Sequence, residues 1–249
     1  MIFLIPRPLR SCYTFCMRNE SKSYFLKEYG AWSVLVISCL IGLGVSRTFS
    51  WQALLVCLAL GLLINSKPAF TKWVRGKDDR EALLVFLGQI ALAAVILLAL
   101  FSGDIPFLLP LLMVPVAYLV MNKFAGEHFL LTELLGFVLL SLAAVIVKFQ
   151  LTGGLDVRLL VAVALYFMAG VFKVKTLLLK KTRDRILMAL YLAFAAYAYR
   201  RFHISLLILL PLTDNLIVVA LPYKVKLQTT GWIEVAKSLL FLGLMVLYF

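Results

Sequence analysis

Ionisable side chains inside long apolar runs are costly to hold in a membrane, so they mark where chemistry would reside. This chain of 249 residues has few of them. Asp214 and Lys237 fall within two successive apolar segments, 203–222 and 230–249; Asn215 adjoins Asp214, and Glu234 lies one helical turn before Lys237. Read as helices, the two segments place Asp214 and Lys237 at one depth, roughly 10–12 Å below the same surface. Opposite charges at one depth on neighbouring antiparallel helices can pin the helices in register or pass a proton or ion. Glu133 stands about one turn into 129–148, and Gln89 about two turns into 82–102. Lys27, Glu28 and Tyr29 stand at the mouth of the first apolar segment, and Asn65 at the end of the second. The opposite halves of these segments hold almost nothing polar. This asymmetry predicts a hydrophilic cavity open to one side of the membrane and closed toward the other.

The elements that must position these groups follow from composition. The chain is 63% hydrophobic, with a mean hydropathy of +1.01, which belongs to a multi-pass membrane protein. A hydrocarbon core of about 30 Å needs about 20 apolar residues as helix. Nine segments meet that pattern: 30–46, 50–66, 82–102, 104–121, 129–148, 155–172, 186–200, 203–222 and 230–249. The expected fold is therefore an all-α polytopic bundle of about nine transmembrane helices in one domain, 24–249. Only Gly103 and Asp104 separate the third and fourth segments, so these must form a hairpin.

Orientation comes from basic residues in short loops. Nineteen of the 25 Lys and Arg residues fall in the N-terminal tail and in alternate gaps at 67–81, 122–128, 173–185 and 223–229, against five on the other side. An N-in, C-out arrangement in a prokaryotic cytoplasmic membrane follows. The net charge of +13 is mainly this topological signal, with some attraction to anionic lipid. Membrane lipid is the expected partner. Nucleic acid is not, because the cations are spread among lipid-bounded loops with no soluble domain to present them. Oligomeric state leaves no trace in the sequence.

Cys39 and Cys57 sit within segments, and Cys12 and Cys16 are spaced like no standard metal motif, so neither a disulfide nor a metal site is expected. His128 and His203 stand at opposite faces and cannot share a metal. Residues 1–23 read as a polar tail. Met17 opens a normal polar lead into a membrane helix, which predicts that translation starts there and that 1–16 are not translated.

The loops 67–81 and 173–185 are the longest and most basic, and each sets cations directly after an apolar helix. Lys27, Lys173 and Lys175 are accordingly expected to meet the anionic head of an amphiphile, with Asn65 assisting. Several short motifs resemble the YwiC-like bacterial membrane proteins: Glu28-Tyr29-Gly30-Ala31-Trp32, Leu130-Leu131-Thr132-Glu133, Phe172-Lys173-Val174-Lys175-Thr176 and Gly231-Trp232-Ile233-Glu234. The likeness covers 24–249, with Tyr29 where the family normally has His. It implies architecture, and no assigned reaction comes with it. A remoter similarity is to the UbiA-type prenyltransferases, which have nine helices and two Asp-rich motifs holding Mg²⁺ on a prenyl diphosphate. Asn65 resembles the Asn opening the first motif, but Ser66, Lys67 and Pro68 follow where acids belong; Asp78 and Asp79 come late, and the second loop offers only Asp184. A diverged transferase acting on an anionic isoprenoid or lipid is the leading expectation, without support for Mg²⁺ from those motifs. The alternatives are a transporter using Asp214, Lys237 and Glu133, and a non-catalytic accessory protein.

Overall fold

A computed structural model describes residues 24–75, 80–126, 129–179, 181–220 and 227–249. The expectations for the tail with Met17, Cys12 and Cys16, and those for Asp78, Asp79 and His128, lie outside the described residues. Among the described residues every regular element is helical. They are α1 (Tyr29–Ser46), α2 (Trp51–Asn65), α3 (Lys67–Arg75), α4 (Arg80–Phe101), α5 (Ile105–Leu108), α6 (Met113–Ala125), α7 (Leu130–Thr152), α8 (Val157–Leu179), α9 (Thr182–Arg201), α10 (Thr213–Ala220) and α11 (Leu227–Tyr248). Short 3₁₀ stretches, Leu109–Leu112 and Leu206–Leu212, lead into α6 and α10.

Among the described residues, seven helices are long and apolar enough to cross a membrane: Tyr29–Ser46, Trp51–Val74, Arg80–Phe101, Ile105–Ala125, Leu130–Thr152, Val157–Leu178 and Thr230–Tyr248. The other two expected segments fall short of that standard for separate reasons. Helix α9 has the length, but Arg183, Asp184 and Arg185 at one end and Arg200 and Arg201 at the other shorten its apolar run. The run Leu206–Ala220 is shorter and changes from 3₁₀ to α geometry after Pro211, which cannot donate to the helical ladder.

Helices α1 and α7 form the centre and lie parallel and level. A Cβ on Gly42 would stand 2.6 Å from the Ala144 carbonyl oxygen and 2.9 Å from the Val147 Cβ, so only glycine permits this approach. Against this pair one core gathers Ile41, Ala144, Leu159, Val163, Tyr199, Ile208, Phe241 and Met245 from α1, α7, α8, α9, the 206–212 stretch and α11. Helix α9 runs antiparallel beside α8, with the Tyr191 hydroxyl donating to the Leu165 carbonyl and the Tyr199 hydroxyl to the Ala162 carbonyl, each at 2.7 Å. A smaller core of Leu35, Cys39, Ala53, Val56, Ala143 and Val147 holds α2 to α1 and α7.

The 80–125 hairpin is different. Helix α4 packs on α2 and α3, and α6 packs on α7, whereas the two arms make little contact with each other. Along α4 only Ala82, Ala93 and Phe101 are buried, and along 105–125 only Asn122. The arms meet at the tight 102–104 turn and stand apart below it.

Candidate functional site: a lateral apolar cavity and a charged tetrad

The gap between these arms opens into a cavity of about 720 Å³, bounded by α1, α2, α4, 105–119 and α7. Its walls are almost wholly apolar, with Leu35, Leu60, Phe86, Leu97, Leu119 and Phe137 among the lining side chains. Along α7 it extends from Thr132 to Ile146, roughly 21 Å at 1.5 Å per residue, which is most of a hydrocarbon core. Leu98, Leu109 and Leu112 line it yet remain more than half exposed, so the opening faces sideways between the arms.

Polar groups gather at one end, where α1 and α7 begin and α2 finishes. Glu28 takes both carboxylate oxygens to Lys67, at 2.9 and 3.1 Å. Glu133 pairs through Oε2 with Lys175 at 2.7 Å. The Thr132 hydroxyl is fully buried and makes no hydrogen bond among the described residues. Unsatisfied buried hydroxyls are uncommon, and each calls for a reason.

The second polar group lies in the other half of the molecule. Lys173 on α8 donates to Asp214 on α10 and to Glu234 on α11. Lys237, one turn beyond Glu234, reaches Asp214 Oδ2 and Glu234 Oε1 at 3.2 Å each and the Asn215 Oδ1 at 2.8 Å. Both ammonium groups thus share the same two carboxylates, and the four charges cancel. The lysines are buried, at 1% and 8% exposure, while the Asp214 and Glu234 side chains keep 24% and 34%. Asn215 is fully buried and donates to the Ala169 carbonyl at 3.4 Å.

The twelve residues singled out by sequence therefore divide. Lys173, Asp214, Glu234 and Lys237 form the tetrad, with Asn215 accepting from Lys237 beside it; Glu28 and Glu133 line the cavity. Three residues expected at an anionic head stand outside the cavity lining. Lys173 is enclosed with its own counter-ions, Asn65 accepts the Leu26 backbone N–H at 3.0 Å and so anchors the lead into α1, and Lys27 is exposed away from the cavity lining. Lys175 is engaged by Glu133. Tyr29 is 89% exposed and belongs to neither group. Gln89 lines neither, although its Oε1 is buried without a partner. Sequence reasoning passed over Thr132 and the pairing of Lys67; a hydroxyl beside an acid at the start of an apolar helix was the available signal. Among the described residues no group of three His, Cys, Asp or Glu side chains could hold a metal ion.

The family model described as YwiC-like protein matches residues 26–148. Over that stretch, just under half of its length, the chain is similar to the YwiC-like family. The match is narrower than the 24–249 likeness read from the motifs, and it leaves out the tetrad. It does include the whole cavity, whose lining runs from Glu28 to Ile146. No curated protein and no solved structure matches the chain, and the similarity to UbiA-type prenyltransferases finds no support among the comparisons.

Proposed function

We propose that this protein binds a long-chain amphiphile drawn sideways from the bilayer, with the tail in the cavity and the head at the Thr132–Glu133 end. The observation behind this reading is the cavity itself. Its 720 Å³ lies within the roughly 300–1,000 Å³ of small-molecule sites, its walls suit hydrocarbon, and its polar groups lie at one end only. A water-soluble ligand would leave those walls unmatched. Chemistry on such a ligand, as in a diverged transferase, is an extension of the same reading.

The test is native mass spectrometry, with lipid extraction, of protein purified from its own membrane. Leu119→Trp places a large side chain in the cavity. A species retained by the wild type and lost in Leu119→Trp supports the reading; a wild type with no bound amphiphile overturns it.

A second reading, ion or proton transport, draws on the tetrad and on the break at Pro211, three residues before Asp214. In proteoliposomes under an imposed membrane potential, a dye-reported proton flux abolished by Asp214→Asn would favour it. Absence of flux in the wild type would remove it.

A further inference from the structure

The charges at the polar end of the cavity limit what head can sit there. Among the described residues, the charged side chains lining the cavity are Glu28, Lys67 and Glu133. Lys67 is neutralised by Glu28, and Lys175, the next cation along, by Glu133. The end therefore holds two closed ion pairs. A diphosphate or phosphate head taken out of water requires cations to offset its desolvation, and withdrawing Lys67 or Lys175 would strand a carboxylate beside the incoming anion. What the end does offer is a buried hydroxyl that makes no hydrogen bond among the described residues, Thr132 Oγ1, next to Glu133, whose buried Oε2 lies 2.7 Å from the Lys175 ammonium without a hydrogen bond to it. A hydroxyl can both donate and accept. An alcohol head would donate to Glu133 and accept from Thr132, satisfying all three groups without disturbing either ion pair.

We infer that the cavity selects an amphiphile with an uncharged, hydroxyl-bearing head, recognised by Thr132 and Glu133. This rests on the amphiphile-binding reading and names the class of its ligand. It departs from the anionic head expected from the basic loops, because the lysines concerned are already paired. An isoprenoid alcohol and a diacylglycerol share the required chemistry.

The experiment compares matched probes on the full-length protein in mixed micelles: geranylgeraniol with geranylgeranyl diphosphate, and dioleoylglycerol with dioleoyl phosphatidic acid. Binding is read as the rise in unfolding temperature across a concentration series. The expected result is that at least one alcohol stabilises the protein more than its charged counterpart, and which alcohol does so identifies the chain type. Thr132→Val should bind that alcohol roughly ten-fold more weakly, as loss of one buried hydrogen bond implies, and Thr132→Ser should recover it. Stronger binding of the charged partner in both pairs overturns the head assignment while leaving the amphiphile reading intact. Equal binding of alcohol and anion, insensitive to Thr132→Val, also overturns it. If no probe binds and Leu119→Trp changes nothing, the amphiphile reading fails as well.

Discussion

Lys173 and Lys175 are two positions apart on α8 and have opposite surroundings. Residues separated by two do not share a helix face. Lys173 turns inward to Asp214 and Glu234, and Lys175 turns toward α7 and keeps 29% of its side chain exposed. The Asp214–Lys237 proximity was readable from the sequence, whereas both lysines were expected in the loop 173–185 and instead lie on α8, which continues to Leu179. The rotational phase of α8 was not readable. In a soluble helix the apolar stripe gives that phase, but a membrane helix is apolar on every side, so the pattern has no preferred face. The difference predicts unequal costs. Lys173→Met removes one of two ammonium groups from a buried, neutral tetrad and should cost about 3–5 kcal/mol, whereas Lys175→Met breaks a partly exposed pair worth about 0–1 kcal/mol. Thermal unfolding of both variants in one detergent measures this, and equal losses would deny the tetrad its structural weight. The shared geometry also alters the Asp214–Lys237 double-mutant cycle. Each carboxylate keeps one lysine when the other is lost, so Lys173→Met and Lys237→Met should be non-additive with each other and with Glu234→Gln.

Among the helices, the α1–α7 contact and the 80–125 hairpin are two extremes of packing. Gly42 sits where a Cβ meets backbone, and Gly88 on α4 has nothing within 4 Å of the corresponding point. Gly42→Ala should therefore destabilise by about 1–3 kcal/mol through overpacking, while Gly88→Ala should be neutral or slightly stabilising. Melting the two variants side by side checks both signs. The hairpin itself was legible, since forty apolar residues broken only at 103–104 cannot span once. The separation of its arms was not, because it depends on which neighbour each arm packs against. At the opposite end of the bundle from the polar mouth, Asp156 begins α8: its Oδ1 accepts the backbone N–H groups of Arg158 and Leu159 at 3.0 and 3.3 Å, and its Oδ2 meets Lys148 at 2.7 Å. Burial opposes the charge, but Lys148 and the helix N–H groups outweigh it and hold the carboxyl below its ordinary value. A depressed pKa stabilises the fold above the unfolded value of about 3.9, and that stability disappears as pH falls through the lower folded value. The advantage of wild type over Asp156→Asn should accordingly be constant from about pH 7 to 5 and close below about 4. A gap that instead widens on acidification would contradict the pairing with Lys148.

For the molecule as a whole, the alternation of basic loops predicts that the Glu28, Lys67 and Lys175 end faces the cytoplasm. With the four native cysteines replaced, a cysteine at Asp104 should react with a membrane-impermeant maleimide in intact cells. One at Lys181 should react only after lysis. The reverse pattern would invert the topology and turn the cavity mouth outward. Nine segments were visible by composition, and seven have the length and apolarity to cross; α9 and the 206–220 run are where loop charges and Pro211 make composition ambiguous. Under the proposed function, the parted arms of the hairpin would leave the open side of the cavity to lipid. Occupancy would then be set by the mole fraction of ligand in the surrounding bilayer, not by its concentration in water. Diluting the protein in buffer would leave the bound fraction unchanged, while adding inert lipid or detergent at constant ligand would empty the site.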